Sequence, residues 1–320
     1  MPLTQVSPAL LDTQAQYTGF KNRIINGGMV IDQRNAGASF TVGNLGYGID
    51  RWLTQAVTVS GTGQQVTGST GNNKALRITG ASGNTTIQVS QRIESVNVYD
   101  CASQTVTVSF ILYGSTSGSV SVRFVYPTAT DNYASTTEPV AGTTVNFTTT
   151  ATQYSVTRTL DSNANKGVWV LLDFGAVGAG VTRTIEFFQL EKGSTATSFD
   201  YRPFGTELAL CQRYFQKFTG SQLVLYGYWD GTNSAVLSMP YPVTPRTSPT
   251  GLAVSSASHF IVNNSTVGNP TASAVLFNSA SLYAMQLEAQ VASGGSSNGK
   301  ACRMLASSSS ASIEITGCEL

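Results

Sequence analysis

Short alternations of apolar and polar residues recur along most of the chain. A period of two places every second side chain on one face of an extended strand. In Thr105-Val106-Thr107-Val108-Ser109-Phe110-Ile111, the residues Val106, Val108 and Phe110 share one face. Comparable runs lie at 75–79, 86–93, 120–126, 153–160, 168–174 and 182–190, separated by clusters such as Tyr113-Gly114-Ser115-Thr116-Ser117-Gly118. Many short strands divided by turn signals predict an antiparallel jelly roll or β-sandwich. Their uneven spacing argues against a short solenoid repeat. At the front of this region Ile24-Ile25 precedes the turn signal Asn26-Gly27-Gly28, and 29–34 reads as a short strand. Trp52 follows in a strand-like run, where core packing is the expected role and sugar stacking the alternative.

The pattern changes between Phe187 and Phe218. Pro203 closes an aromatic corner, Ser198-Phe199-Asp200-Tyr201-Arg202-Pro203-Phe204-Gly205, and disfavours helix just before it. Thr206 reads as a helix N-cap with Glu207 in the first turn. Leu208, Cys211 and Phe215 then follow at three- and four-residue steps, as do Leu210, Tyr214 and Phe218, so a helix with a broad buried stripe is predicted. Strand patterns resume afterwards. The run 223–229 meets the hairpin signal Asp230-Gly231-Thr232-Asn233 and returns over 235–239. Pro240, Pro242, Pro245 and Pro249 fix an extended passage that cannot be a central strand. Further runs lie at 274–277, 282–289, 301–305 and 312–316. The expected organisation is all-β: an N-terminal arm at 1–20, a jelly-roll β-sandwich domain at 21–204, a short linking helix at 205–219, and a second, distal β-sandwich domain at 220–320.

Composition sharpens this picture. The 320 residues are enough for two domains. Charged residues make up 11%, less than half of the roughly 25% usual in soluble proteins. Net charge is +1 and the 18 basic residues form no run, which argues against a nucleic-acid partner. No apolar stretch reaches the roughly 20 residues of a membrane-spanning helix, so no membrane insertion is expected. The start, MPLTQVSPALLDTQAQ, has neither a basic head nor a continuous apolar core, so no secretory signal is expected. Release by cell lysis would reconcile that with a role outside the cell. Cys101, Cys211, Cys302 and Cys318 match no zinc or disulfide spacing. Free thiols are expected, with a Cys302–Cys318 bridge across a C-terminal hairpin as the alternative.

Catalytic chemistry finds little to stand on. A triad or a Cys-His pair would have to use His259, the single histidine, whose surroundings lack a nucleophile elbow. No clustered His/Cys ligands or Walker-type loop occur, and no acidic cluster singles out a pair for glycoside cleavage. Neither enzyme activity, a metal nor a cofactor is expected. Surface recognition is left. Tyr226, Tyr228 and Trp229 beside Asp230 and Asn233 combine aromatic faces for sugar rings with groups that bond hydroxyls. Packing on the core or a subunit interface is the alternative for the tyrosines.

Two stretches, FKNRIINGGMVIDQRNAG and FFQLEKGSTATSFDYRPFGTELALCQRYFQKF, resemble a family of bacteriophage tail-fibre and related virion proteins, in which they open and close a jelly-roll domain. Together they bracket about three fifths of the chain. The resemblance implies a homotrimeric virion component, assembled in the host cytoplasm and carried on the tail. Its N-terminal arm would join other tail proteins and its distal part would touch a host polysaccharide or lipopolysaccharide. The jelly roll also resembles a carbohydrate-binding module. Asn26-Gly27-Gly28-Met29-Val30 lacks the Phe-Glu that follows the glycine in many such modules, so the resemblance transfers neither a calcium site nor sugar-binding residues to this domain. A tail fibre that binds a host glycan without cleaving it is the leading expectation. A purely structural adaptor, collar or hub protein and a glycan depolymerase are the alternatives.

Overall fold

The computed structural model describes residues 20–220, 223–263, 268–293, 295 and 298–320. The expected N-terminal arm falls, but for its last residue, outside the described residues. The chain divides into two compact units: residues through Glu207 together with Leu320, and Leu208–Glu319. Nearly all regular structure is β.

The first unit carries β1 (Phe40–Val42), β2 (Gly46–Tyr47), β3 (Leu53–Val57), β4 (Gly61–Thr67), β5 (Lys74–Thr79), β6 (Thr86–Ile93) and β7 (Thr105–Gly114). It continues through β8 (Gly118–Ala129), β9 (Asn132–Thr137), β10 (Thr143–Phe147), β11 (Thr152–Thr159), β12 (Val168–Asp173) and β13 (Thr182–Lys192). One sheet has the order β1-β4-β5-β13-β7-β11, the other β10-β8-β12-β6-β3-β2, with β9 paired to β8. The non-sequential order and wholly antiparallel pairing make a jelly-roll β-sandwich. Its core takes the predicted faces: Val106, Val108 and Phe110 are buried, and Trp52 packs edge-on against Phe188 at 5.2 Å. The Trp52 indole N–H donates to the Asn26 carbonyl at 2.9 Å, so the large ring is buried without an unpaired donor.

The run 29–34, expected as a strand, is not one. Asn26 and Met29 have φ of 58° and 57° and the segment turns. Asn26 takes over what a neighbouring strand would supply: its Nδ2 donates to the carbonyls of Ile31 and Asp50, and its Oδ1 accepts from the Ile31 N–H. Local side-chain bonding of this kind competes with a sheet ladder.

Near its middle β13 contains a bulge. Glu186 pairs with Ile111 and Gln189 with Ser109, so Phe187 and Phe188 together face Phe110. The extra residue resets the alternation. Phe188 enters the core, stacked on Phe110 at 5.3 Å, while Phe187, at φ 49°, stands apart with Phe199 and Tyr201. Both backbone groups of Phe188 are fixed from the opening stretch: its N–H donates to Gly27 at 2.9 Å, and its carbonyl accepts from Asn22 Nδ2 at 3.2 Å.

The helix α1 spans Phe204–Gln212, shorter than the expected 205–219. Thr206 lies inside the first turn and is not the cap. The apolar stripe ends early because Gln216–Thr219 is a strand, β14, paired with a partner about a hundred residues on. Cys211 and Phe215 are buried and Leu208 is half-buried.

The second unit continues with β15 (Val224–Trp229), β16 (Ser234–Pro240), β17 (Gly251–Val254), β18 (Phe260–Asn263), β19 (Ala272–Ala280), β20 (Ala284–Val291), β21 (Ala301–Ala306) and β22 (Ser312–Thr316). It has a three-stranded sheet, β14-β22-β17, and a six-stranded one, β18-β21-β15-β16-β20-β19. Trp229, Leu237, Met239, Phe260, Met285, Leu287, Met304 and Ile313 are among the buried residues of its core. Pro240, expected in the strand-free passage, is instead the last residue of β16, opposite Ala284. The rest of the passage, 241–250, carries no strand, consistent with a residue type that cannot donate to a ladder.

Candidate functional site

The six-stranded sheet of the second unit buries one face and exposes the other. Alternation along β15 sends Leu225 and Trp229 inward and Tyr226 and Tyr228 outward, with 67% and 46% of their surfaces exposed. Two residues apart on a strand, the tyrosines stand about 7 Å from each other. Register extends this face sideways. Tyr226 lies opposite Ser238 and Arg303, and Ser238 opposite Gln286. Tyr228 lies opposite Val236, Val236 opposite Glu288, and Glu288 opposite the exposed Leu276.

Polar groups on this face are organised. Ser234 Oγ and Gln290 Nε2 both donate to Glu288 Oε1, at 2.8 and 2.9 Å. That leaves Oε2 without a protein donor among the described residues. Beside Tyr226, Arg303 Nε donates to Asn263 Oδ1 at 2.9 Å. At the hairpin end, Asp230, Thr232, Asn233, Ser234 and Gln290 border an open depression of about 240 Å³. The hairpin closes through the Asp230 N–H to the Ser234 carbonyl at 2.8 Å. Aromatic faces next to fixed acceptors and amides are what a sugar ring requires: apolar stacking on one side and hydroxyl bonding at the edge.

Of the five residues singled out from sequence, Tyr226, Tyr228, Asp230 and Asn233 are exposed at this face or its hairpin. Trp229 is not. It is fully buried, because its neighbour Tyr228 points outward and side chains alternate along a strand. Trp229 is therefore a core residue, and no ligand reaches its ring. Glu288, Gln290, Gln286 and Arg303 were not found from sequence. They lie 60 to 77 positions beyond Tyr226, and only strand register brings them onto the same face.

The remaining chemistry is limited. His259 Nδ1 lies 2.9 Å from Ser255 Oγ, which also accepts from the Ser312 N–H at 3.0 Å. No carboxylate is bonded to His259 among the described residues; the hydroxyl of Ser255 stands where a triad has its acid. No group of three His, Cys, Asp or Glu suited to a metal ion occurs among the described residues. All four cysteines are free and buried, so Cys302 and Cys318 do not form the alternative bridge. Burial pushes the thiols of Cys101, Cys302 and Cys318 up to about 11, which suppresses the reactive thiolate. No described helix is long and apolar enough to cross a membrane.

No protein-family model matches the chain, and no curated protein matches it. Solved structures do. A CBM4 carbohydrate-binding module is similar at 22% identity over 52% of this chain and 98% of its own, with a TM-score of 0.35. TmCBM61, solved in complex with β-1,4-galactotriose, is 11% identical over 54% of this chain and 99% of its own, with a TM-score of 0.35. The enzymatically active domain of bacteriophage CBA120 tailspike protein 4 is 13% identical over 54% of this chain and 22% of its own, with a TM-score of 0.37. At these identities and TM-scores, a function for this chain has to come from its own residues.

Proposed function

We propose that this protein is a phage tail fibre that binds a host-surface polysaccharide through the exposed β15–β16–β20 face and does not cleave it. The observation that carries the binding reading is the pair Tyr226 and Tyr228, both exposed on one strand, with Glu288 two strands away on the same face across Val236. Binding at such an open face is weak per site, and avidity across a homotrimer and across several fibres would multiply it. The place in the virion tail, the assembly in the host cytoplasm and the arm that joins other tail proteins rest on the opening and closing sequence stretches.

The test uses the full chain and polysaccharide extracted from host cells. Tyr226→Ala and Tyr228→Ala each weaken binding about threefold to tenfold, the worth of one aromatic contact. No new reducing ends form during the incubation. Unchanged affinity in the double variant would overturn the binding face, and released reducing ends would overturn its non-catalytic character. Light scattering that finds a stable monomer at micromolar concentration would remove the homotrimer.

A further inference from the structure

The first unit contains a cavity of about 290 Å³ that shares no lining residue with the face on β15. Its apolar wall is Phe187, Phe199 and Tyr201, whose ring centroids lie 4.9 to 5.7 Å apart in tilted and edge-on pairs. Tyr201 is 69% exposed, the second largest exposure among the exposed large apolar and aromatic residues. Phe187 and Phe199 are half-buried, so Tyr201 is the open ring of the cluster. The β13 bulge holds it in place. Phe187 sits at φ 49°, a conformation disfavoured for an aromatic residue and kept only where the surroundings over-determine it. The two backbone bonds to Phe188, from Asn22 and to Gly27, supply that constraint.

The opposite rim is polar and equally fixed. Buried Glu186 accepts from the Ser69 N–H, Ser69 Oγ and Asn73 Nδ2, at 2.8, 2.9 and 2.6 Å, and so pins the β4–β5 loop. Those three donors occupy the Glu186 carboxylate oxygens beneath that loop, so they are not offered to a ligand. Arg202 and Glu207, also at the cavity, form an ion pair at 3.1 Å and neutralise each other. Asn72 and Lys74 remain: both are exposed at the rim, and neither side chain has a partner among the described residues. The cavity thus joins an aromatic wall to one exposed ammonium and one exposed amide, neither bonded among the described residues.

We propose that this cavity is a second saccharide subsite, selective for a hexuronic acid residue. The apolar face of the sugar packs on Tyr201, its carboxylate meets Lys74 Nζ, and Asn72 bonds a ring hydroxyl. A neutral sugar would use the wall but leave Lys74 unanswered. A cationic ligand is disfavoured by Lys74. The subsite lies on a different unit from Tyr226 and Tyr228 and stands or falls apart from them.

The experiment titrates the full chain with a galacturonic acid trisaccharide, a glucuronic acid trisaccharide and their carboxyl-reduced neutral counterparts, by calorimetry and by NMR. At least one uronate binds. Tyr201→Ala weakens the acidic and reduced forms alike, by about threefold to tenfold. Lys74→Gln weakens only the acidic form, by about twofold to fivefold, the range of an exposed charge pair. Both positions are exposed, and circular dichroism checks that each variant keeps the wild-type fold. The Tyr226→Ala/Tyr228→Ala variant keeps its uronate affinity. Absence of uronate binding by the wild-type chain, uronate binding that survives Tyr201→Ala, or uronate binding lost only in the Tyr226/Tyr228 variant would each overturn the subsite. The last of these would leave the face on β15 standing.

Discussion

The Leu190 N–H donates to Asn22 Oδ1 at 3.1 Å, across 168 residues of chain. The same oxygen accepts from the Ile24 N–H at 2.9 Å, while Asn22 Nδ2 holds the Phe188 carbonyl. Asp200 accepts from the Lys21 and Asn22 N–H groups, and Arg202 donates to the carbonyls of Asn22 and Ile24. The opening and closing stretches of the jelly roll are therefore one physical clasp. A single polar side chain satisfies three backbone groups there, and Asn22 itself is only 3% exposed.

Asn22→Ala removes those three bonds at once and leaves buried donors and an acceptor without this partner. Each such group costs about 1–3 kcal/mol, and relaxation recovers part of it, so a loss of about 2–4 kcal/mol is expected for the first unit. Urea unfolding followed by tryptophan fluorescence measures it. A midpoint shift equivalent to under about 0.5 kcal/mol would show that the clasp is incidental.

Gly27 and Gly28 are adjacent but should respond differently to a methyl group. A Cβ at Gly27 would run into the carbonyl oxygen of Phe188, inside the clasp; at Gly28 the nearest atoms are 3.7 Å away. Gly27→Ala is expected to destabilise the unit by more than about 2 kcal/mol and Gly28→Ala to stay within about 0.5 kcal/mol of wild type. The same urea measurement compares them. Equal behaviour would mean that the bulge adjusts freely around Gly27.

Alternation revealed the sandwich because a two-residue period survives whatever the partner strand is. It did not reveal β9 and β10, whose Thr, Ser and Asn residues face solvent and carry little apolar signal. Helical spacing through Phe215 was real as a pattern. The pairing of Gln216–Thr219 with Ser312–Thr316 overrode it, and that competitor is invisible in a local window. At the candidate face, the aromatic residues stood out as a run but their sides did not. Trp229 and Tyr228 are consecutive in sequence and opposite in space. Glu288 carried no signal at all, since its role depends on its register with Val236 and on bonds from Ser234 and Gln290.

Trp229→Ala is consequently a stability variant and not a binding variant. The ring is fully buried in the core of the second unit, and truncating such a residue costs about 3–5 kcal/mol. Its Nε1 has no hydrogen-bond partner among the described residues, so Trp229→Phe removes no polar contact and should lose less than half as much. Thermal unfolding orders the three proteins: wild type, Trp229→Phe, Trp229→Ala. A Trp229→Ala protein with wild-type stability and reduced polysaccharide binding would return the residue to the surface.

The buried thiols predict an alkaline limit to stability. The Cys101 thiol is raised to about 11 by burial first and by Asp100 next; Cys302 is raised to about 11 by burial alone, and Cys318 to about 11 by burial against the opposing pull of Arg246. A thiol whose ionisation is pushed up in the folded state keeps its proton there while the unfolded chain releases its own. The stabilisation is complete below the ordinary thiol value of 9.0 and is lost as pH rises from there through about 11. Melting temperature should fall across that window. The Cys302→Ala/Cys318→Ala variant should fall less steeply in the second unit, since it has two fewer protons to release on unfolding. At pH 8 the native thiolate fraction is about a hundredth of the unperturbed one, so Ellman's reagent should titrate these thiols only after urea is added. Rapid reaction of Cys302 or Cys318 in the native protein would show that the reacting sulfur meets solvent, and identical alkaline slopes for the variant and wild type would show that burial does not hold either proton.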